Sequence, residues 1–480
     1  MTTRNSSSYR PVTPRIVEEI RSIVGSSYVI AEDRERLEAY SHDEIPDHRY
    51  AHMPEVVVLP RTAEEIAAIL RLANREMVPV TPRGAGSGLS GGAVPLYGGI
   101  VLSSERQNRI LEIDRDNMMV VVEPGVVTAE INEALAGSGL FYAGYPMSLE
   151  TCFIGGNVAE NAGGGKAVKY GVTSRYVLGL EVVTPLGEIV RFGGKLIKDV
   201  TGYNLVQLMV GSEGTLGVFT EITLRLTPQP RSSVDLLVFF HDIHGAIAAV
   251  PEIMRTSGIT PTAIEFMDAE SFLQTCRHLN ESFSREEPGA VLLITVDGSD
   301  QDETEREYIV IGDRCTEAGA FEVFVADSSP ASERIWKVRR NIAETYALVS
   351  PHQANEDLVV PPAAIPDLVE GMKEVAKRYG VSIPAYGHAG DGNIHTRVVK
   401  PPSWQLRRWE RTLPEILDEL YTLTAQLGGR ISGEHGIGHK RKAYMDRFVS
   451  PEYRAVALAI KEALDPNRIL NPGKIFDFEF

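Results

Sequence analysis

The chain has 480 residues, more than one ordinary hydrophobic core holds, which predicts two domains or one large two-lobed enzyme. Its 65 acidic and 48 basic side chains give a net charge of −17, which argues against nucleic acid or an anionic membrane surface as the main partner. Its three scattered cysteines, Cys152, Cys276 and Cys315, exclude a disulfide framework, a CxxC metal pair and an iron–sulfur ligand set, which fits a reducing cytoplasm.

The N-terminal part predicts a short tail followed by a strand–helix–strand unit. Met1 to Tyr9 is polar and serine-rich and lacks the apolar run of a signal peptide, so we expect a frayed tail. Helices are predicted at 12–24 and 34–40, and buried strands at 55–60 and 78–80. Between these strands, Thr62 and Glu65 have the spacing of a capping box for a helix. No run approaches ~18 consecutive apolar residues, so we expect no membrane span.

The first glycine-rich stretch covers residues 81–92. Gly86, Gly88 and Gly91 satisfy the G-x-G-x-x-G pattern of a Rossmann dinucleotide site. A Rossmann loop must open a helix, whereas this one leads through 93–99 into a predicted strand at 100–102. Such a loop can still bind a diphosphate through exposed backbone N–H groups, and the alternative is a surface loop without a ligand.

Two further glycine-rich regions follow, at 155–165 and 210–218. Strands are predicted at 108–114, 118–122, 179–183, 188–192 and 220–226, with a helix at 128–136. Ordering so many glycines is entropically costly unless a ligand that approaches closely offsets the cost. Three glycine loops between strands therefore predict one long cofactor lying across an α+β domain.

The amino-acid composition changes at 227–230, which predicts a domain boundary. Beyond it we expect strands at 236–240, 290–296 and 321–325 and helices at 243–257, 302–318 and 366–378, an antiparallel α+β lobe. The cations at 336–340 would ordinarily form a solvated helix face. A last helix is predicted to begin at Pro451.

Two glycine-framed segments, 386–395 and 432–438, bring histidines and a carboxylate into short stretches. The spacing of His388 and His395 suits two ends of a tight loop, and Glu434 could complete a three-ligand site for a divalent ion of the zinc or manganese type. His435 would be left as a base. Histidines that only bond backbone carbonyls are the alternative, but four such groups on two such segments favour a metal site.

These motifs occur together in one known family. PRGAGSGLSGG, GGNVAENAGG, VGSEGTLGV, GHAGDGNIH, SGEHGIG and LDPNRILNPGK follow one another in family order. The chain thereby resembles the FAD-linked oxidases of the vanillyl-alcohol oxidase and para-cresol methylhydroxylase (PCMH) superfamily. It is most similar to the glycolate oxidase flavin subunit, D-lactate dehydrogenase and D-2-hydroxyglutarate dehydrogenase. The resemblance covers 54–476.

The resemblance implies a two-lobed α+β architecture. Residues 1–50 would form an N-terminal helical segment, 51–228 a PCMH-type FAD-binding domain, 229–430 an antiparallel α+β substrate or cap domain with the metal loop, and 431–480 a C-terminal segment returning to the flavin. The FAD-binding positions it implies are Pro82, Arg83, Gly84, Ala85, Gly86, Ser87, Gly88, Ser90, Gly91, Pro146, Gly155, Gly156, Asn157, Asn161, Gly163, Gly164, Tyr170, Gly171, Glu213, Gly214, Gly217, Val218 and Asn471.

The resemblance also implies a reaction. The metal ligands would be His388, His395 and Glu434, the base His435, and the carboxylate-binding residue Arg339. These groups suit hydride transfer from a D-2-hydroxy acid to FAD, which yields the 2-oxo acid. The metal would lower the pKa of the substrate hydroxyl, the base would accept its proton, and the arginine would orient the acid.

Departures from the family pattern bear on the substrate. Ala343 and Asn355 occupy positions where the 2-hydroxyglutarate enzymes carry a threonine and a lysine, which favours a small acid such as D-lactate or glycolate, although Arg340 or Arg397 could compensate. Many covalent relatives have a histidine at the position of Ser87, so we expect dissociable FAD. Cys152 is then expected to be a small buried thiol.

The electron acceptor is open. Without cluster cysteines, reduced FAD must pass electrons to another protein, a quinone or oxygen, and we expect a separate iron–sulfur or electron-transfer flavoprotein subunit. We expect a cytoplasmic protein, with membrane attachment through a partner and a homodimer as open alternatives. A catalytically silent flavin subunit and a metallohydrolase without flavin are the competing interpretations. A silent flavin subunit would not require the histidines, and a metallohydrolase would leave the glycine loops unexplained.

Overall fold

A computed structural model of the chain describes residues 9–477. The predicted tail therefore lies outside the described residues except for Tyr9. The strands are β1 (Val29–Ile30), β2 (Val56–Val58), β3 (Val80–Arg83), β4 (Ile100–Ser103), β5 (Ile110–Asp114), β6 (Met119–Val122), β7 (Leu140–Phe141), β8 (Val177–Val183), β9 (Ile189–Gly193), β10 (Val218–Arg225), β11 (Thr227–Pro228), β12 (Ser232–Phe240), β13 (Ala263–Asp268), β14 (Ala290–Gly298), β15 (Ala320–Ala326), β16 (Gln353–Val359), β17 (Ala385–His388) and β18 (Asn393–Val399). The helices are α1 (Pro14–Val24), α2 (Arg34–Glu38), α3 (Ala63–Glu76), α4 (Thr128–Ala134), α5 (Ile154–Glu160), α6 (Ala167–Tyr170), α7 (Leu205–Met209), α8 (Ile243–Thr256), α9 (Ala269–Leu279), α10 (Gln301–Glu317), α11 (Ser329–Val349), α12 (Ile365–Tyr379), α13 (Leu406–Gln426) and α14 (Pro451–Leu464).

The chain forms two compact units. Among the described residues, the first comprises 9–163, 172–228 and 434–477, and the second comprises 164–171 and 229–433. In the part of the chain that the structure describes, no helix is both long enough and apolar enough to cross a bilayer.

The first unit has two larger sheets, and β7 and β11 form a small two-stranded one. One has the strand order β1-β2-β4-β3, in which β2 and β3 run parallel to β4, and the other is an antiparallel sheet in the order β5-β6-β10-β8-β9. Apolar side chains of α1 and α3 pack against the first sheet in one core cluster. Thr62 caps α3 as predicted, but Glu65 accepts the N–H of Arg61 instead of that of Thr62, so the reciprocal half of the capping box is shifted by one residue.

One predicted loop is wrong in its first half. The glycine-rich region 155–165 is predicted to be a loop, but Gly155 and Gly156 lie inside α5, and only the residues after Glu160 are irregular. A Cβ on Gly155 would lie 2.5 Å from Cβ of Pro124 and 2.9 Å from its carbonyl oxygen, so this glycine lets the helix approach the preceding segment closely. Gly155 thus reflects the tight packing of a short helix, which composition alone does not distinguish from a loop.

The second unit is an antiparallel sheet covered by helices. Its strand order is β15-β12-β14-β13-β17-β18-β16, and α9 and α11 cover one face. Ile335, Val338, Ile342 and Tyr346 of α11 form a buried stripe at helical spacing. Arg339 lies within this stripe, which carries a cation into the buried layer between α11 and the sheet.

Candidate functional site

The glycine loops of the first unit meet around Asn471. Its side-chain Nδ2 donates to the carbonyl oxygens of Gly92 at 3.0 Å and Glu213 at 2.8 Å, and its backbone N–H donates to Val80. A Cβ on Gly84 would lie 3.7 Å from the backbone nitrogen of Gly156. The fold therefore joins the end of β3, the start of α5 and the loop before β10, three segments that are distant in sequence.

Gly156 tests whether this cradle fits a bulky cofactor. A Cβ there would meet no heavy atom within 4 Å among the described residues of its unit, and its φ lies outside the left-handed region. Neither backbone strain nor a protein neighbour therefore explains the glycine. Space left open beside the backbone lets a bulky group approach it closely, so these residues fit FAD.

Several other predicted cofactor positions also have structural roles. Arg83 donates to the carbonyl oxygens of His42 at 2.7 Å and Ala39 at 3.3 Å. Gly86 leaves room for this guanidinium, since a Cβ there would lie 2.1 Å from its Nη2. The side-chain nitrogen of Asn157 donates to Thr128 at 2.7 Å, and Asn161, at φ 52°, accepts the N–H of Ser174.

The remaining predicted positions lie around the same loops or in the second unit. Ala85, Ser87, Gly88, Ser90 and Gly91 lie in the loop after β3, Gly214 and Gly217 in the loop before β10, Val218 at the start of β10, and Pro146 in the irregular segment between β7 and α5. Gly164, Tyr170 and Gly171 belong to the second unit. There the Tyr170 hydroxyl donates to Asp297 Oδ2 at 2.9 Å.

A buried carboxyl group, that of Glu213, holds the segment that carries Glu434 and His435 in the first unit. Glu213 accepts the N–H groups of Ile437 and Gly438 at 2.8 and 2.6 Å. Burial, with the nearby Glu213 and Asp43 charges, raises the pKa of Glu160 well above its ordinary value. Glu434 Oε2 would lie 3.1 Å from a Cβ on Gly163, so this glycine makes room for the Glu434 carboxylate.

In the second unit a β-hairpin brings His388 and His395 together. His388 ends β17 and His395 lies on β18, with Tyr386 directly across from His395. Their Nε2 atoms are 3.3 Å apart, and both rings are largely buried. The predicted tight loop between the two histidines is thus the turn of this hairpin.

Each imidazole has a carboxylate behind it. Glu265 Oε1 lies 2.5 Å from Nδ1 of His388, and Asp357 Oδ1 lies 3.4 Å from Nδ1 of His395. We assign the ring proton of His388 to Nδ1, because the Glu265 carboxylate accepts a hydrogen bond there. Asp357 lies at the longer distance of an ion pair from His395. The Nε2 lone pair of His388 then faces Nε2 of His395, an arrangement that a shared cation stabilises. This donor set fits a divalent ion of the zinc type.

Glu265 also binds Arg339. Arg339 Nε donates to Glu265 Oε2 at 2.7 Å, and its Nη2 lies 2.6 Å from the same oxygen. Burial alone would raise the pKa of Glu265, but Arg339 and His388 hold it below its ordinary value. One fully buried carboxylate therefore positions both a predicted metal ligand and the predicted carboxylate-binding residue.

Asp357 links the hairpin to the end of the second unit. It accepts hydrogen bonds from Asn393 Nδ2 at 2.7 Å, Ser432 Oγ at 2.7 Å and the Gly433 N–H at 2.9 Å. Gly433 is the last residue of this unit, and the chain continues directly into Glu434 and His435. The carboxylate that faces His395 thus also fixes the peptide preceding these two residues.

Sequence reasoning missed Glu265 and Asp357. Both lie on strands whose other residues are largely buried, and both are fully buried themselves. An acidic residue inside an apolar strand is a signal that could have identified Glu265, because a buried carboxylate needs a cation or a hydrogen-bond donor. Neither residue belongs to a glycine-rich motif.

Comparisons with known proteins agree on one family. The model of the FAD linked oxidases, C-terminal domain, matches residues 229–475, and that of an FAD binding domain matches 54–193. A protein of Bacillus subtilis strain 168 named glycolate oxidase subunit GlcD is 37% identical over 97% of this chain and 97% of its own. A protein of Anaerostipes hadrus named D-lactate dehydrogenase is 36% identical over 97% of this chain and 98% of its own.

A protein of Stutzerimonas stutzeri strain A1501 named D-2-hydroxyglutarate dehydrogenase is 30% identical over 96% of this chain and 99% of its own. Among solved structures, p-cresol methylhydroxylase with substrate bound matches with a TM-score of 0.78 over 97% of both chains at 18% identity, which shows the shared fold.

Proposed function

Because the chain belongs to the FAD-linked oxidases, we propose that it is a metal-assisted D-2-hydroxy-acid dehydrogenase, which oxidises its substrate to the 2-oxo acid. Membership of this family makes it an FAD-linked oxidoreductase acting on a CH–OH group. D-Lactate and glycolate are the substrates that the sequence favours, and D-2-hydroxyglutarate is the alternative. The single observation that carries the proposal is the facing pair of Nε2 atoms, 3.3 Å apart, each with a carboxylate behind its ring.

The residues divide the work as follows. When bound, FAD accepts a hydride, and a divalent ion lowers the pKa of a hydroxyl that it coordinates. His388 and His395 would hold the ion, and Glu434 would complete the ligand set. Arg339 keeps its Nη1 side for a substrate carboxylate while Glu265 fixes the rest of its guanidinium, which orients the α-hydrogen. His435 would accept the hydroxyl proton.

We propose that the first unit binds FAD without a covalent bond and that the second unit binds the acid. The open space at Gly156 supports the first assignment, and Ser87, which cannot form the histidyl link of covalent relatives, supports dissociable FAD. The buried cations and imidazoles of the second unit support the other assignment.

We further propose that electrons pass to a separate iron–sulfur or electron-transfer flavoprotein subunit. The name of the Bacillus subtilis relative includes the word subunit, which supports membership of a complex. The three cysteines of this chain are all buried and unpaired, and none lies in a cluster-binding motif, so an acceptor outside this chain is required. A cytoplasmic protein held at a membrane only through that partner fits this arrangement.

The test is anaerobic flavin reduction, which needs no acceptor. D-Lactate, L-lactate, glycolate and D-2-hydroxyglutarate are added separately, with and without a chelator, and bleaching near ~450 nm is followed. Rapid bleaching by a D-acid that the chelator abolishes is expected. If dithionite bleaches the yellow protein but none of the acids bleaches it, the dehydrogenase function is refuted and a catalytically silent flavin subunit is favoured.

A further inference from the structure

Arg397 lies in the same buried layer of the second unit as His395. The two residues are two positions apart on β18, so their side chains leave the same face of the sheet. Arg397 is 9% exposed. Its Nε donates to the Tyr386 hydroxyl at 3.0 Å, and its Nη1 donates to Gln353 Oε1 at 2.9 Å. Both acceptors are ordinarily neutral groups.

No carboxylate among residues 9–477 forms an ion pair with Arg397. A buried cation that contacts only neutral acceptors is costly, because their dipoles replace little of the lost hydration energy. The neighbouring arginines differ in this respect. Arg339 is paired with Glu265, and the half-exposed Arg340 is paired with Glu333. Arg397 is therefore the arginine of this region that calls for an anion from outside the chain.

The ring of Tyr386 separates the two buried guanidinium groups. Cζ of Arg339 lies over the face of the ring, 5.1 Å from its centroid, whereas Arg397 binds the hydroxyl at the end of the ring. The two cations thus lie at different positions around one phenol. A single carboxylate bound at Arg339 would leave Arg397 without an anion.

We propose that Arg397, with Tyr386 and Gln353, forms a second anion subsite, and that the preferred substrate is a short D-2-hydroxy acid with a second carboxylate. This inference rests on the proposed function, and it moves the preference from D-lactate and glycolate to dicarboxylic acids. Nη2 of Arg397, which donates to no described residue, supplies the free N–H groups. Arg340, the other cation that could replace a missing distal contact, is engaged by Glu333.

The experiment compares two acids of equal length. D-2-Hydroxyglutarate and D-2-hydroxyvalerate each have five carbons, and only the first has a second carboxylate. The second-order rate constant of anaerobic flavin reduction is measured with both acids for the wild type, Arg397→Met, Arg397→Lys and the control Arg340→Gln. The wild type is expected to reduce about 100-fold faster with the dicarboxylate, since a polar site rejects an analogue that leaves it unpaired.

Arg397→Met should abolish this preference while changing the rate with D-2-hydroxyvalerate less than about threefold. Arg397→Lys should retain part of the preference, because lysine keeps the positive charge but lacks the planar guanidinium. Arg340→Gln should leave both rates unchanged. Equal loss with both acids in Arg397→Met, or a wild type without preference, would overturn the subsite but leave the dehydrogenase standing. If neither the two five-carbon acids nor D-lactate reduces the flavin of the wild type, both the subsite and the dehydrogenase function are refuted. If Arg397→Met does not fold, the wild-type preference and Arg397→Lys decide.

Discussion

Replacing Glu265 by glutamine should weaken metal binding and destabilise the second unit. Glu265 is fully buried and contacts Nδ1 of His388 at 2.5 Å and the guanidinium of Arg339 at 2.6 to 2.7 Å. Glutamine has nearly the same shape but one carbonyl oxygen instead of two carboxylate oxygens. It can therefore accept a hydrogen bond from only one of the two partners through that oxygen, and it returns no negative charge to either.

The two effects have different magnitudes. Loss of a partner that orients a ligating histidine weakens metal affinity about 10- to 100-fold. Removing one partner of a buried ion pair costs about 3 kcal/mol or more, which at about 2–4 °C per kcal/mol lowers Tm by about 6–12 °C. Because the folded-state pKa of Glu265 is depressed, its contribution is present above the ordinary pKa near 4.5 and is lost as pH falls through the folded-state value. The difference in Tm should therefore shrink in acid.

Competition with a coloured chelator measures the metal affinity, and thermal unfolding at pH 7 and at low pH measures the stability. Glu370→Gln is the matched control, since it removes a carboxylate 2.7 Å from His244 in an exposed pair that should contribute little. If Glu265→Gln retains the wild-type metal affinity while its Tm falls, Glu265 only stabilises the fold and the assigned ring proton of His388 is wrong.

Three further changes test other parts of the structure. Gly156→Ala should stabilise the apoprotein by about 0.5–1 kcal/mol, as alanine does in a helix, yet weaken FAD binding at least about tenfold by filling the open space. Apoprotein unfolding measures the gain in stability, and flavin titration measures the loss of affinity. Burial raises the pKa of Asp268 to about 6, so wild-type stability should fall by about 2 kcal/mol as pH rises from 4 to 6, and Asp268→Asn should remove most of this loss in urea unfolding. Arg339→Lys should slow anaerobic flavin reduction about 100-fold, because a lysine cannot replace the paired donors; an unchanged rate would exclude Arg339 as the substrate-orienting residue.

The sequence predicted those parts of the fold whose signals are local. The helices beginning at Ala63 and Pro451 follow from a cap and an apolar period, and the strands on either side of the loops follow from their apolar runs. β13, β16 and α13 were missed. β13 and β16 carry acidic residues among their buried positions, so neither alternates clearly between apolar and polar, and each owes its burial to neighbours distant in sequence.

The candidate site shows the same division. His388 and His395 are close in sequence, and a glycine-rich turn was enough to predict that they meet. Glu265 precedes His388 by 123 residues and reaches it only because β13 pairs with β17, a strand pairing that no local pattern specifies. Asn355 lies directly across from Arg397 for a comparable reason, since β16 and β18 are separated in the sequence by α12 and β17.

The buried charges of this layer explain why its carboxylates are needed. With both imidazoles neutral, Arg339 and Arg397 balance Glu265 and Asp357, so the layer is close to neutral before anything binds. A divalent ion bound with the proposed ligand Glu434 would leave one positive charge in excess in a region of low dielectric, a state that favours a bound anion. The carboxylate that every 2-hydroxy acid carries cancels this excess. The same two acidic side chains that orient the histidines therefore also set how much negative charge the substrate must bring.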